Sequence, residues 1–348
     1  MSTPLDAPPA AAPAPAALQL GTLRIWPPTA LAPMAGLTTA PFRQSCRRMR
    51  CGLVATELTN AEGLARRTPK TLHFLESWPD ERPLAAHIYG HDPDVMARAA
   101  AVCEELGRFD LIDINAGCPV PKIMRRGEGA GLMKSPEKLK LIVQAVCAAV
   151  KLPVTVKTRI GFTYERIVIS EVAQAVEEGG AAALFLHGRT VDRRHAGFAD
   201  WALIARIKQE RKILVIGNGG ILTAADALQR MAETKVDGVM IGRAASGTPW
   251  LFDEIAARCE GRVWVPPSPA AKIAMLMEMI EGLVRLTEME HKHRRRVHYL
   301  PEPSAVMQFR THLAHLLRGR VHQRDLMLRS MSVKTVAEVR ATLEAIIT

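Results

Sequence analysis

A single cysteine stands in a loop of small residues directly after a short apolar run. The run, residues 111–114, has the composition of a buried strand, and the loop carries Cys118 between Gly117 and Pro119. Because glycine and proline bracket the thiol, the backbone turns sharply and the side chain is placed rather than left mobile. A lone cysteine beside an apolar strand is usually a small core residue. The loop alone therefore leaves two interpretations, a core cysteine or a thiol placed in a functional site.

A lysine and a histidine occupy the same kind of position, each at the end of an apolar run. Lys157 follows Val154-Thr155-Val156, and a charge at the end of a buried strand needs a partner. It could form a Schiff base, pair with a carboxylate or stabilise a negatively charged ring. His187 follows Leu184-Phe185-Leu186 and is either a hydrogen-bonded core histidine or part of a site. The adjacent Gly188-Arg189 favours the site.

A repeated pattern, in which a helix follows each strand-like apolar run, must position these residues. Eight such runs follow one another along the chain, at residues 29–34, 53–59, 84–89, 111–115, 154–158, 183–187, 213–217 and 238–242. Eight strand–helix units over about 230 residues predict an α/β fold, a (β/α)8 TIM barrel. A doubly wound open sheet is the alternative. The barrel is favoured because polar residues and glycines end nearly every run, and in a barrel those ends converge on one mouth.

Glycine-containing loops follow the last two runs. Asn218-Gly219-Gly220 ends the seventh run, and Gly242-Arg243 ends the eighth. In barrels these two loops often bind phosphate through backbone N–H groups. Glycine permits a close approach, and the arginine could add charge-assisted hydrogen bonds. The alternative is that the glycines only permit tight turns.

The remaining chain divides around the predicted barrel. Residues 1–21 are rich in Ala and Pro, lack a basic leader and are expected to form a disordered tail. The barrel would occupy residues 22–262. A Pro-rich linker then introduces a small all-α domain at residues 263–348, with helical patterns over residues 271–289, 304–317 and 333–347. The sharpest basic run of this domain is HKHRRR, residues 291–296.

Composition narrows the partners of the protein. The formal net charge of the 348 residues is +11, which indicates a polyanionic partner or a solvated basic surface. No apolar run reaches the roughly 18 residues of a membrane span, so no membrane contact is expected. The 6 cysteines contain no C-x-x-C pair, so we expect reduced thiols, no structural metal and a cytoplasmic protein.

Six motifs in register resemble the tRNA-dihydrouridine synthase family. They are APMAGLT (residues 32–38), DINAGCP (113–119), VKTRIG (156–161), LHGRT (186–190), GNGGI (217–221) and MIGRAA (240–245). The resemblance begins near Leu23 and extends into the helical domain. The run GTPWLF at residues 247–252 is most similar to the bacterial branch called B.

The resemblance implies an FMN-dependent reduction of the C5=C6 bond of uridine to 5,6-dihydrouridine in tRNA, with NADPH as the reductant. It implies that Cys118 protonates C5, a step for which a thiol is a fair acid. The implied FMN-binding residues are Pro33, Met34, Ala35, His87, Lys157, His187, Asn218, Gly219, Gly220, Gly242 and Arg243. The implied substrate-binding residues are Asn115, Arg159, Arg189, Lys122 and Arg310.

The chain departs from the family pattern at three places. His87 stands where the family usually has Gln, although a histidine can still donate to a flavin carbonyl, and Gly220 stands where branch B often has an acidic residue. Residues 309–316 resemble the RNA-binding helix, with His315 and Leu316 replacing an aromatic pair and Thr311 replacing a lysine. The Arg- and Gly-containing loop at residues 122–131 is expected to close on a flipped uridine.

Other functions compete with this one. An FMN-dependent reductase of a free pyrimidine would share the barrel site, and 23S rRNA could replace tRNA as the substrate. A basic RNA-binding scaffold without chemistry is a third possibility. The net charge and the basic helical domain favour an RNA substrate, and the set of Cys118, Lys157, His187 and Arg243 favours an enzyme. We expect a monomer.

Overall fold

A computed structural model describes residues 15–293, 300–317 and 324–347. The strands are β1 (Leu18–Leu20), β2 (Leu23–Ile25), β3 (Thr29–Leu31), β4 (Val54–Ala55), β5 (Thr59–Asn60), β6 (Leu84–Tyr89), β7 (Leu111–Ala116), β8 (Val154–Arg159), β9 (Gly161–Thr163), β10 (Arg166–Ile167), β11 (Ala183–His187), β12 (Leu214–Asn218) and β13 (Gly238–Ile241). The helices are α1 (Ala40–Arg48), α2 (Ala61–Ala65), α3 (Pro69–Leu72), α4 (Pro93–Glu105), α5 (Pro121–Met124), α6 (Pro136–Ala149), α7 (Ile169–Glu178), α8 (Trp201–Glu210), α9 (Ala224–Thr234), α10 (Leu251–Cys259), α11 (Pro269–His293), α12 (Pro301–Leu316), α13 (Arg324–Ser332) and α14 (Val336–Ile347). Short 3-10 helices cover His73–Leu75 and Gly129–Lys134.

Eight parallel strands form a barrel, as the sequence predicts. Their order is β3-β13-β12-β11-β8-β7-β6-β4, and β5 adds to β6 beside β4. The two ends of this order meet, because Leu31 N donates to Leu53 O at 2.8 Å and Leu53 N donates to Thr29 O at 3.0 Å. This closure excludes the open doubly wound sheet.

The hairpin of β1 and β2 covers the amino-terminal end of the barrel. Leu18, Leu20 and Ile25 are buried and join the cluster of side chains inside the barrel. Leu18 lies beside Gly238, the first residue of β13. Residues 18–21 were predicted to belong to a disordered tail that ended at residue 21. They are ordered instead because alternate apolar residues fill the open end of the barrel, and this corrects the tail boundary.

The strands place apolar side chains on both faces. Phe185 and Ile216 point into the barrel interior, whereas Leu184 and Val215 belong to the layer between the barrel and its surrounding helices. Strands buried in this way need nearly continuous apolar sequence, which is why the pattern predicted them. Only their carboxyl ends are free to carry polar groups toward an opening.

The carboxyl-terminal helices pack against the barrel through α1 and the loop after β13. Arg48 of α1 forms an ion pair with Glu278 of α11 at 2.8 Å. His312 of α12 is buried between Phe42 and Phe309, and its Nδ1 lies 3.0 Å from Ser246 Oγ. The helical region therefore contacts the same end of the barrel at which β13 ends.

Several local elements differ from the sequence patterns. The strand–helix pattern places the helix after the fifth run at residues 165–178, but β9 and β10 form a hairpin there and α7 begins at Ile169. The pattern did not predict α13, and α14 begins at Val336 rather than Val333. The side chains of the basic run at residues 291–296 lie outside the described residues. In the described ranges, no helix is long and apolar enough to cross a membrane, and no group of three or more His, Cys, Asp or Glu side chains could hold a metal ion.

Candidate active site

A cavity of about 650 Å³ opens where the barrel strands end. The sequence-predicted residues that line it are Pro33, Met34, Ala35, His87, Asn115, Cys118, Lys157, Arg159, His187, Arg189, Asn218, Gly219, Gly220, Gly242 and Arg243. Two others lie elsewhere. Lys122 is exposed on α5, and Arg310 donates through Nε and Nη2 to Val333 O at 3.0 and 2.7 Å. The cavity thus joins nearly all of the predicted residues, whereas Arg310 holds the chain before α14.

Strand register explains why residues far apart in sequence meet here. Asn115 is level with Lys157 across β7 and β8. His187 is level with Arg159 on one side and Asn218 on the other. Because the strands are parallel, residues at equivalent heights face the same opening.

A chain of hydrogen bonds between buried side chains holds the cysteine loop. Thr155 Oγ1 donates to Asp113 Oδ1 at 2.7 Å, and Asp113 Oδ2 lies 2.6 Å from His87 Nδ1. His87 Nε2 lies 2.8 Å from Asn115 Nδ2. Asn115 Oδ1 accepts from the backbone N–H groups of Gly117 and Cys118 at 3.1 and 2.9 Å. Four strand residues therefore position the backbone that carries the thiol.

These contacts fix the roles of both His87 ring nitrogens. Since Asn115 Oδ1 accepts two backbone bonds, its Nδ2 group must face His87 as a donor. His87 Nε2 is then an acceptor without a proton, and Nδ1 donates its proton to Asp113. In this arrangement His87 holds Asn115. The expected hydrogen bond from His87 to a flavin carbonyl cannot form, because neither ring nitrogen has a proton left to donate.

The Cys118 thiol is half-buried and close-packed. A Cβ added at Gly129 would lie 3.1 Å from the Cys118 Cβ, and one added at Gly117 would lie 3.1 Å from the backbone of Thr158. Burial raises the pKa of the Cys118 thiol, while the charges of Arg159 and Lys157 oppose this rise. The thiol therefore keeps its proton near neutral pH, which is the form an acid needs.

Lys157 contributes a positive charge to the cavity wall. Its Nζ lies 3.5 Å from Asn218 Oδ1. Burial lowers the pKa of Lys157 to about 8, with Arg159 adding to the lowering and Asp113 opposing it. The ammonium is thus mainly charged at neutral pH. A Schiff base needs the neutral amine, so this setting favours attraction of a negative group.

Two arginines predicted to contact substrate bind carbonyl groups of the surrounding loops. Arg159 Nε donates to Gly117 O at 3.0 Å, and Arg159 Nη1 donates to Arg194 O at 2.8 Å. Arg189 donates through Nε and Nη2 to Gly197 O at 3.2 and 2.8 Å. Each guanidinium therefore connects the cavity wall to a loop of its rim.

His187 is a neutral member of the wall. Arg189 Nη1 lies 3.2 Å from His187 Nε2, so the arginine donates and the imidazole accepts. Burial, and next the charge of Lys157, lower the pKa of His187 well below its usual range. His187 can therefore offer a hydrogen bond from Nδ1 without adding a charge.

The glycine loops after β12 and β13 form the side of the cavity opposite the cysteine loop. Asn218 Nδ2 donates to Met240 O at 2.7 Å, and Trp201 Nε1 donates to Gly219 O at 2.9 Å. Gly219 has a φ of +123°, and a Cβ there would lie 2.8 Å from that of Ala199. Gly220 has a φ of +74°. Only glycine suits these turns, and the same turns leave the backbone open to a ligand.

Sequence reasoning missed several residues at the cavity. His195 and Phe198 reach it from the loop after β11, and His315 reaches it from α12. Asp113 and Thr155 lie beneath it in the network with His87. The signal for the last two was present, since a carboxylate within a buried strand needs a partner. No comparable sequence signal marked the loop residues.

The fold and the cavity define a (β/α)8-barrel enzyme whose ligand site lies at the carboxyl ends of the strands. The chain matches the family described as dihydrouridine synthase (Dus) over residues 30–347. A probable tRNA-dihydrouridine synthase of Mycobacterium tuberculosis strain H37Rv is 39% identical over 317 residues, which cover 87% of this chain and 78% of that protein. The tRNA-dihydrouridine synthase B of Xanthomonas axonopodis pv. citri is 39% identical over 267 residues, covering 76% of this chain and 80% of that protein. The chain belongs to the dihydrouridine synthase family, which is a family of oxidoreductases.

Proposed function

We propose that this protein reduces the C5=C6 bond of uridine in tRNA to 5,6-dihydrouridine, with FMN as cofactor and NADPH as reductant. The observation that carries the proposal is the half-buried Cys118 thiol, whose pKa is raised and whose loop is fixed at the cavity mouth by Asn115. Family membership supplies the reaction class. The geometry supports an acid at this position.

The residues around the cavity fit FMN. A volume of about 650 Å³ lies within the usual range of ligand pockets, about 300–1,000 Å³. An added Cβ at Gly220 would meet nothing within 4 Å, so the backbone there is open in the same cavity wall that Gly219, Gly242 and Arg243 line, and this suits a phosphate group. Lys157 offers positive charge to a ring, and Pro33, Met34 and Ala35 line the wall near Gly242. When bound, FMN supplies the hydride that uracil C6 receives.

The chain itself supplies the proton and the orientation. Cys118 donates a proton to C5, and the thiolate left behind is stabilised by the charges of Arg159 and Lys157. The Asn115 amide has one N–H on His87 and a second that remains for the uracil edge. Arg159 and Arg189 act on substrate indirectly, by holding the rim loops.

We extend the proposal to the two parts of the chain. Residues 22–262 would bind FMN and carry the chemistry, and residues 263–348 would bind RNA. Exposed Lys122 lies four residues after Cys118 and can meet a phosphate. Arg310 has its guanidinium on Val333 O, so a role in RNA binding for this side chain would act by keeping α12 and α14 together.

The experiment is reduction of uridine in tRNA by the purified chain, with total flavin measured by absorbance. We expect NADPH-dependent dihydrouridine in tRNA, and no reduction of free uracil or orotate. Replacing Cys118 by Ala should retain flavin and lower base reduction about 10²–10⁴-fold, the usual worth of a positioned acid. Half-buried Cys147, whose Sγ contacts Gly180 O outside the cavity, provides the matched Cys147→Ala control.

Four outcomes would contradict the proposal. Turnover of Cys118→Ala near that of wild type would remove the thiol as the acid. Preferential reduction of a free pyrimidine would make the protein a small-molecule reductase, and activity confined to 23S rRNA would change the RNA substrate. A purified protein that binds no flavin would leave the reaction without its hydride source.

A further inference from the structure

An exposed phenylalanine lies at the rim of the cavity. The Phe198 side chain is 94% exposed, the highest value among the large apolar side chains in the described part of the chain. It lines the cavity together with Leu222, which is 60% exposed. Single exposed apolar residues are ordinary on protein surfaces. Two of them at the mouth of a ligand site form an apolar edge that a ligand entering the cavity must pass.

The loop that carries Phe198 is fixed by the cavity wall. Arg189 donates twice to Gly197 O, the residue before Phe198, at 3.2 and 2.8 Å. Arg159 donates to Arg194 O at 2.8 Å. Guanidinium groups at the end of β8 and two residues after β11 thus hold the loop at Arg194 and at Gly197, which has a φ of +67°. The aromatic ring is presented from a supported backbone.

The charge around the ring suits an anionic ligand with flat faces. Arg193 and Arg194 are exposed on the same loop, and Arg166 is exposed on the neighbouring β10. Asp192 and Asp200 are the acidic residues of the loop. The Asp192 carboxylate lies 3.8 Å from Arg193 Nε, and Asp200 Oδ1 accepts from Leu203 N at the start of α8. Single-stranded nucleic acid combines these features, because it carries phosphates next to bases whose flat faces are exposed.

We propose that Phe198 is a stacking platform for an unpaired base of the RNA next to the uridine that enters the cavity. The inference rests on the proposed function, because it assumes an RNA substrate. A uridine that leaves its stack exposes the face of the neighbouring base. An aromatic ring at the rim covers that face, and the arginines of the loop meet the flanking phosphates.

The test compares tRNA affinity among full-length variants. Phe198→Ala should weaken tRNA binding by roughly 5- to 150-fold, the range found for loss of one base–aromatic contact. Phe198→Trp should restore the affinity. The slope of log affinity against log salt should stay unchanged, because no charge is removed, whereas Arg193→Gln should make it shallower. Phe74→Ala, at an aromatic residue 38% exposed outside the cavity, is the matched control.

The readouts separate this inference from the proposed function. If Phe198→Ala binds tRNA as tightly as the wild-type protein does, the stacking role alone is overturned. Failure of Trp to restore binding would also overturn it. Loss of flavin from Phe198→Ala would mean that the ring covers the cofactor instead of a base. Wild-type protein that binds no tRNA would overturn both proposals.

Discussion

His87 shows how one side chain can position another. Its ring bridges Asp113 and Asn115, and Asn115 in turn binds the backbone N–H of Cys118. Asp113 and Thr155 give the imidazole a fixed partner on its inner side. Since each member of this chain is buried, removing one leaves its neighbour with an unmatched polar group. The position of the thiol therefore depends on a residue that does not touch it.

We predict different effects for two substitutions of His87. Asn can replace only the contact with Asp113, so His87→Asn should release Asn115 and make Cys118 about 5- to 10-fold more reactive to iodoacetamide, the worth of one hydrogen bond. The longer Gln can still offer an acceptor to Asn115, so His87→Gln should react as wild type does. Mass spectrometry of the Cys118 peptide measures this rate, with Cys147 as the internal reference. Equal Cys118 reactivity in all three proteins would show that His87 does not position the loop.

The strands illustrate what sequence can predict at the scale of elements. β11 and β12 are apolar up to the last residue of each strand because both faces are buried, so their existence and their polar ends follow directly from the pattern. The pattern of strands with polar ends was sufficient to predict that Lys157 and His187 line one cavity. The pairing of His87 with Asp113 depends on strand register, and the place of Phe198 depends on loop hydrogen bonds. Neither is encoded in a periodic pattern.

The first hairpin was missed for a related reason. Its strands are three residues each, and the apolar Ala/Pro-rich residues before them obscure the alternation of Leu18, Gln19 and Leu20. The alternation indicates a buried strand only once it is known that the amino-terminal end of the barrel needs apolar side chains to fill it. Leu20 is then a core residue, and Arg24 lies on the outer face of the same hairpin.

This arrangement predicts a large difference between the two faces of the hairpin. Leu20→Ala should lower the free energy of unfolding by about 2–5 kcal/mol, because it leaves a cavity at the amino-terminal end of the barrel, which the hairpin fills. Arg24→Ala should change it by no more than about 0.5 kcal/mol, as is usual for exposed positions. Urea unfolding of both variants measures the difference. Similar values for the two would mean that the hairpin does not contribute to the barrel core.

At the scale of the molecule, α12 connects the helical region to the cavity. Gln308 Nε2 donates to Gly36 O at 2.8 Å, and Glu57 accepts from Gly36 N, so the loop that follows β3 is held from two sides. His312 lies one helical turn further along α12 and is buried against Ser246. The residues that we propose face the cofactor are therefore supported by the part of the chain that we propose binds RNA.

The buried His312 makes docking of the helices sensitive to acid. Burial, and next the neighbouring His315, lower the pKa of His312 to about 3, whereas an unfolded chain has a histidine pKa of about 6.5. Below pH 6.5 the unfolded state binds a proton that the folded state does not, so stability from this group is complete above pH 6.5 and is lost as the pH falls. The expected loss between pH 6.5 and 5 is about 2 kcal/mol, at about 1.4 kcal/mol per pH unit.

His312→Asn isolates this effect. The amide can keep the contact with Ser246 but does not titrate, so the variant should be less stable than wild type at pH 7 and yet lose about 2 kcal/mol less between pH 6.5 and 5. Urea unfolding at several pH values, followed by tryptophan fluorescence, gives both curves. The difference in free energy of unfolding between wild type and the variant should narrow steadily as the pH falls. His195 and the other titrating groups are common to both proteins, so they do not contribute to this change. Parallel curves would show that His312 takes up a proton in the folded state, and the contact between α12 and the barrel would then tolerate a charge.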